Sequence, residues 1–140
     1  MNTTFLSEIN WLAVLVATLA YFFLGALWYS KALFAKQWIV LTKVDATNPD
    51  AYKGMAGIMV ASAILMLVTS TGLAILRIYL DISGWMSGLK LGLLTGVFFA
   101  STAISISYLY EKRPMGLHWI NNGYTVIGNI IAAIIICCWV

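Results

Sequence analysis

The chain has 140 residues, of which 62% are hydrophobic and 9% are charged, and its formal net charge is +3. Soluble domains carry about 25% charged residues, so this composition excludes a water-soluble globular protein and predicts an integral membrane protein. Only eight residues are Lys or Arg, which argues against nucleic acid as a partner, and the length allows one domain, 1–140.

Apolar runs of membrane-spanning length alternate with short polar intervals. The first run, 9–29, has no basic segment before it, so we expect a retained span and not a cleaved signal peptide. A helix of about 20 apolar residues crosses the hydrocarbon core. The runs 54–76, 89–109 and 117–140 therefore predict three further spans. The predicted fold class is all-α, a four-helix transmembrane bundle. Its expected partner is the lipid bilayer in which it is embedded.

The interval after the first run carries a helical apolar pattern of its own. Phe34, Trp38 and Leu41 recur at i, i+4 and i+7, whereas Lys36 and Lys43 point elsewhere. This pattern is typical of a short amphipathic helix lying in the membrane interface. The alternative is that the first span simply continues for two more turns, and a short apolar run does not separate the two.

Small residues recur at every fourth position through the start of the third run. On a helix, residues four apart lie nearly above one another, so the series removes side chains along one face. Such a face lets a second helix approach backbone to backbone. We call this series the glycine seam and predict that it packs a helix, within one chain or between chains. Its members are Gly84, Gly88, Gly92, Gly96 and Ala100.

The fourth run carries a stripe of polar side chains. Lipid offers an amide no hydrogen-bond partner, so these residues should face other helices or a water-filled path. We favour the first interpretation, in which the side chains bond across helices; the alternative is a polar route in which the histidine titrates. The residues of this polar stripe are His118, Asn121, Asn122, Thr125 and Asn129.

No set of residues points to catalysis, to a cofactor or to a metal. The predicted spans contain no Asp or Glu, and no phosphate-cradling loop or metal-ligand spacing is present. Cys137 and Cys138 are adjacent and have no neighbouring cation in sequence, which favours two small apolar residues over a redox pair. An enzyme acting on a lipid is therefore the third-ranked interpretation, because no acid–base pair can be named.

Basic residues are unevenly divided between the two sides of the predicted bundle. The N-terminus, the second loop and the C-terminus together carry only Arg77 and Lys90. Because cytoplasmic loops are rich in Lys and Arg, we expect the first and third loops in the cytoplasm and both termini outside. The six basic residues of those two loops are Lys31, Lys36, Lys43, Lys53, Lys112 and Arg113.

The first span and its exit carry a recognisable set of residues: Asn10-Trp11, then 24–30 with the sequence LGALWYS, then Leu33-Phe34 and Trp38. Together with His118 and Asn122-Gly123-Tyr124, they resemble a family of small bacterial four-span membrane proteins catalogued only as a domain of unknown function. The resemblance implies four helices and a bacterial cytoplasmic (inner) membrane. It implies no activity, catalytic residue or cofactor.

These observations predict a non-enzymatic packing or accessory membrane protein, as a homo-oligomer or as a subunit of a larger membrane complex. The alternative is a small-solute channel or carrier whose polar path follows the fourth span. A dry, protein-bonded polar stripe favours the first function, and a water-accessible stripe favours the second.

Overall fold

The computed structural model describes residues 3–45 and 47–139, apart from the side chains of residues 51 and 52. Four of the helices in this part of the chain are long and apolar enough to cross a membrane, and none of the described residues forms a strand. The predicted all-α, four-helix transmembrane bundle is confirmed. The helices are α1 (Trp11–Trp28), α2 (Ala35–Thr42), α3 (Met55–Tyr79), α4 (Trp85–Tyr110) and α5 (Met115–Cys138).

The four long helices run alternately up and down. The Asn10 side-chain amide donates to the carbonyl of Trp139 at 3.4 Å, which joins the start of α1 to the end of α5. At the opposite end of α1, the Trp28 indole N–H donates to the carbonyl of Ile120 at 3.0 Å. The backbone N–H of Gly84, just before α4, also donates to the end of α5, at 2.9 Å. The second loop and both terminal segments therefore share one end of the bundle.

Helix α5 is the centre of the bundle. In its most apolar 18-residue window 44% of the residues are buried, against 28% or less in each of the other three long helices. Helices α1, α3 and α4 all pack on α5, and α1 also packs on α3. Lipid leaves an amide without a hydrogen-bond partner. Helix α5 carries Asn121, Asn122 and Asn129, and it is the helix that the others surround.

The glycine seam faces α5 within the same chain. A Cβ added to Gly88 would lie 2.6 Å from the Cα of Ile134, and one added to Gly92 would overlap the backbone at Ile130. At Gly96 the approach is looser, with the Cα of Val126 at 3.0 Å. Side chains longer than hydrogen would therefore push α4 away from α5.

The two ends of the seam lie outside this close contact. A Cβ on Gly84 would meet no atom within 4 Å, but its φ of +86° is a conformation that glycine adopts readily, and α4 starts directly after it. This start explains why α4 begins four residues before the predicted third span. Ala100 is half buried and lies in a segment of different helical geometry.

That segment, Leu94–Ser101, is a π-helix inside α4. π-helical turns are rare and cost regular hydrogen bonding. Threonine hydroxyls bond to carbonyls at both of its ends: Thr95 donates to the carbonyl of Leu91 at 2.9 Å, and Thr102 donates to that of Phe98 at 2.7 Å. No pattern in the sequence predicts this departure from α-helix.

Helix α2 is separate from α1, so the alternative that the first span continues for two turns is wrong. The chain turns between residues 28 and 35, where the backbone N–H of Phe34 donates to the carbonyl of Trp28 at 3.1 Å. Their rings lie 4.9 Å apart. Leu41 of α2 packs against α5, since a Cβ on Gly116 would lie 2.9 Å from a Leu41 methyl group. Through Leu41, α2 therefore folds back against the bundle.

The seam generates a stability prediction with a matched control. Gly92→Ala should lower the free energy of unfolding by about 1–3 kcal/mol, because overpacking a close helix contact forces the backbones apart. Gly72→Ala in α3 should not lower it, since no atom lies within 4 Å of a Cβ there and alanine favours helix by about 1 kcal/mol. Denaturation in mild detergent measures both, and equal stabilities of the two variants would contradict the close contact.

Candidate functional site

The five residues of the polar stripe divide into three groups along α5, and each group meets a different neighbour. Thr125 and Asn129 lie deepest, with Asn129 only 3% exposed. Asn121 and His118 lie towards the start of α5, beside the aromatic side chains of α1 and α4. Asn122 faces the second half of α4. The residues therefore share a helix but meet different neighbours along its length.

The deepest group is held by protein atoms. The amide of Asn129 donates to the carbonyl of Thr125 at 2.8 Å. Its oxygen lies 3.3 Å from the Thr95 hydroxyl of α4, whose single proton is shared with the carbonyl of Leu91 at 2.9 Å. The Tyr21 hydroxyl of α1 donates to the same Thr125 carbonyl at 3.4 Å. Protein atoms therefore lie within hydrogen-bond distance of both ends of the amide.

Asn121 bridges two helices that do not otherwise meet closely. Its oxygen accepts from the Tyr29 hydroxyl at 2.6 Å, and its amide donates to the Tyr108 hydroxyl at 2.6 Å. Tyr29 follows α1 directly and Tyr108 belongs to the last turn of α4, so one side chain of α5 joins both. The ring of buried His118 packs edge-on against Tyr108, with centroids 5.3 Å apart.

Asn122 is the least satisfied member of the stripe. Its amide donates to the Ser105 hydroxyl at 2.7 Å. Its oxygen is buried without a hydrogen-bond partner among the described residues, and so is the hydroxyl of Ser101 one turn earlier on α4. Buried polar atoms are normally paired, so Asn122 on α5 and Ser101 at the end of the π-helix each keep an unused hydrogen-bonding group.

Tyr124 is an interaction centre, although the sequence patterns assigned it no contact. Its ring lies 5.3 Å from that of Tyr21, 5.4 Å from that of Tyr29 and 6.5 Å from that of Trp28, all from the α1 side. Gly25 makes room for it, since a Cβ there would lie 3.0 Å from the Tyr124 hydroxyl. The sequence offered one signal for this contact: Gly25 lies three residues before the aromatic pair Trp28 and Tyr29 at the end of the first span.

Glycines on α5 accept aromatic rings from α1 in the same way. A Cβ on Gly128 would overlap the ring of Tyr21, and one on Gly123 would lie 3.1 Å from the ring of Trp28. The α1–α5 contact thus sets rings against glycines in both directions, with Tyr21 and Trp28 of α1 on glycines of α5 and Tyr124 of α5 on Gly25 of α1. In the α4–α5 contact the closely packed glycines lie on α4.

The cysteines form no disulfide. Cys137 is buried in the core, whereas Cys138 is exposed. In the part of the chain that the structure describes, no three His, Cys, Asp or Glu side chains come together in a way that could hold a metal ion. The polar side chains of the stripe are three amides, one hydroxyl and the imidazole of His118.

A family model described as "Protein of unknown function (DUF1761)" matches residues 12–137. No curated protein and no solved structure matches the chain significantly. The matched range covers the four long helices almost completely, including the whole polar stripe and the glycine seam.

The Tyr29–Asn121 bond generates a second stability prediction. Tyr29→Phe should cost about 1 kcal/mol, the typical net contribution of one hydrogen bond. Combined with Asn121→Leu in a double-mutant cycle, it should show a coupling of about 0.6 kcal/mol, the average for interhelical bonds in a membrane protein. The free energy of unfolding in detergent is the measurement.

Tyr110→Phe is the control for this cycle, because Tyr110 lies two residues after Tyr108 on α4 and is 86% exposed. It should leave the stability unchanged and show no coupling to Asn121→Leu. Purely additive effects of Tyr29→Phe and Asn121→Leu would contradict the bond.

Proposed function

The chain belongs to the family described as proteins of unknown function (DUF1761), and we propose that it is a non-enzymatic packing or accessory membrane protein. The observation that carries this proposal is the state of the two amides at Asn121 and Asn129. Both ends of each amide lie within hydrogen-bond distance of protein atoms of the chain itself. A stripe used in this way holds α1, α4 and α5 together and leaves little for a solute.

The same proposal includes assembly, as a homo-oligomer or as a subunit of a larger membrane complex. Only 17% of the residues are buried in the most apolar windows of α3 and α4. Their outer faces carry large apolar side chains such as Ile58, Phe98 and Phe99, which are 60–67% exposed. Contacts with copies or partners would form there, in competition with lipid.

We place the protein in the bacterial cytoplasmic membrane, with both termini outside. What supports this orientation is the grouping of the loops. The first and third loops, with six of the eight basic residues, lie at one end of the bundle, and the terminal segments lie at the other. Loops rich in Lys and Arg stay on the cytoplasmic side.

The orientation is tested by fusing reporters to the C-terminus. A reporter that works only outside the cytoplasm should be active there, and one that works only in the cytoplasm should be inactive. The same pair fused in the third loop, after Lys112, should give the opposite result. Cytoplasmic activity at the C-terminus would overturn the proposed topology.

A second candidate function, a small-solute channel or carrier, is favoured by one specific observation. The oxygen of Asn122 and the hydroxyl of Ser101 are buried and have no partner among the described residues. In a carrier these groups would bind water or the solute as it passes between α4 and α5. The two candidates therefore differ in whether water reaches the polar stripe.

Thiol labelling separates the two functions. In a background in which Cys137 and Cys138 are replaced by Ala, Asn129→Cys should react slowly with a membrane-impermeant thiol reagent, because position 129 is 3% exposed. Asn122→Cys should also react slowly if the stripe only packs helices. Lys112→Cys, on an exposed loop that we place in the cytoplasm, is the control and should react rapidly when the reagent is supplied to both sides of the membrane.

Rapid labelling of Asn129→Cys or of Asn122→Cys would reveal an aqueous path along α5 and would favour the channel or carrier. The thermal stability of each purified variant in mild detergent shows whether rapid labelling reflects an open path or an unfolded protein.

A further inference from the structure

A small cavity lies at the end of the bundle that holds the second loop and both terminal segments. Its volume is about 120 Å³, and α1, α3 and α5 all contribute to its wall. Apolar side chains form most of the wall, and the polar part comes from Glu8, Asn10, Arg77 and Trp139. This cavity is separate from the polar stripe.

Arg77 is the cation of this cavity. It lies in the last turn of α3, and its Nε is buried without a hydrogen-bond partner among the described residues. A polar nitrogen that is taken out of water and left without a hydrogen-bond partner costs free energy. The planar guanidinium matches the oxygens of a phosphate or carboxylate group, so the position calls for an anion.

Glu8 supplies the opposite charge on the same wall but is not paired with Arg77. Among the described residues the one ion pair joins Glu111 to Arg113, at the other end of the bundle. The side-chain oxygen of Asn10 is occupied, because it caps α1 by accepting from the N–H of Ala13 at 3.1 Å. The cavity wall therefore carries one positive and one negative group that do not form an ion pair with each other.

The depth of the cavity is indicated by tryptophans at the same end of the bundle. Trp11, Trp85 and Trp139 begin α1, begin α4 and follow α5, and they are 50%, 59% and 41% exposed. Tryptophan side chains with this exposure are enriched at the level of lipid headgroups. A ligand in the cavity would thus sit where phosphates and their amine substituents are concentrated.

We propose that this cavity binds a phosphoethanolamine group, with its phosphate on Arg77 and its ammonium on Glu8. A liquid water molecule takes up about 30 Å³, so the cavity is large enough for a few heavy atoms of such a group but not for acyl chains. The source is a zwitterionic phospholipid at the membrane surface or a soluble phosphoethanolamine ester. Both present the same chemistry to Arg77 and Glu8.

Native mass spectrometry of the purified protein tests the proposal, after exchange into detergent with equal amounts of phosphatidylethanolamine and phosphatidylglycerol. The wild-type chain should retain phosphatidylethanolamine preferentially. Arg77→Gln should lower this retention roughly tenfold, the loss of one charge-assisted hydrogen bond. Arg77→Lys should lose less, because it keeps the charge. Lys90→Gln, which removes an exposed charge from the start of α4, should change nothing.

Glu8→Gln should keep phosphate binding and abolish the preference for phosphatidylethanolamine over phosphatidylglycerol. Competition with glycerophosphoethanolamine distinguishes the two sources. Displacement by the soluble compound would support the headgroup chemistry with a soluble ester as the ligand, and resistance to displacement would support the lipid.

Equal retention of the two lipids by the wild-type chain would overturn the proposal, as would unchanged retention in Arg77→Gln. A third result would also overturn it: Arg77→Gln, Glu8→Gln and the double variant lose the same thermal stability while lipid retention stays constant. That result would mean that the two side chains only pair with each other. It would leave the role of the polar stripe unaffected.

Discussion

The close approach of α4 and α5 is the constraint on which the rest of the bundle depends. At Gly88 and Gly92 the only substituent between the two backbones is hydrogen. This approach brings the Thr95 hydroxyl within 3.3 Å of Asn129 and the Ser105 hydroxyl within 2.7 Å of Asn122. Short side chains can bridge two helices only when the helices nearly touch, so the hydrogen bonds follow from the glycines.

Much of the fold could be predicted from the sequence because the hydrophobic requirement of a bilayer acts on local composition. The four spans, the series Gly88, Gly92 and Gly96, and the presence of a polar stripe are all visible as patterns along the chain. The partner of the glycine series is not, because any helix with a smooth face would satisfy it. The structure gives that partner as α5 of the same chain.

The candidate site was harder to predict, for a related reason. Spacing places His118, Asn122 and Asn129 on one face of a helix, but it does not say which neighbours that face meets at each depth. In the structure they meet α4 at three levels. His118 packs on Tyr108, Asn122 bonds to Ser105, and Asn129 lies beside Thr95. Tyr124 escaped prediction because its importance comes from three rings contributed by a distant part of the chain.

The π-helix of α4 acts as a phase adjustment between the two halves of that helix. An α-helix advances about 100° per residue, whereas a π-helix, with bonds from i to i+5, advances less. The segment 94–101 therefore changes the direction, around the helix axis, in which every later side chain of α4 points. Ser105 and Tyr108 point towards α5 because of this offset, while the glycines before it keep their own alignment. Two sets of contacts with different angular requirements are thereby accommodated on one continuous helix.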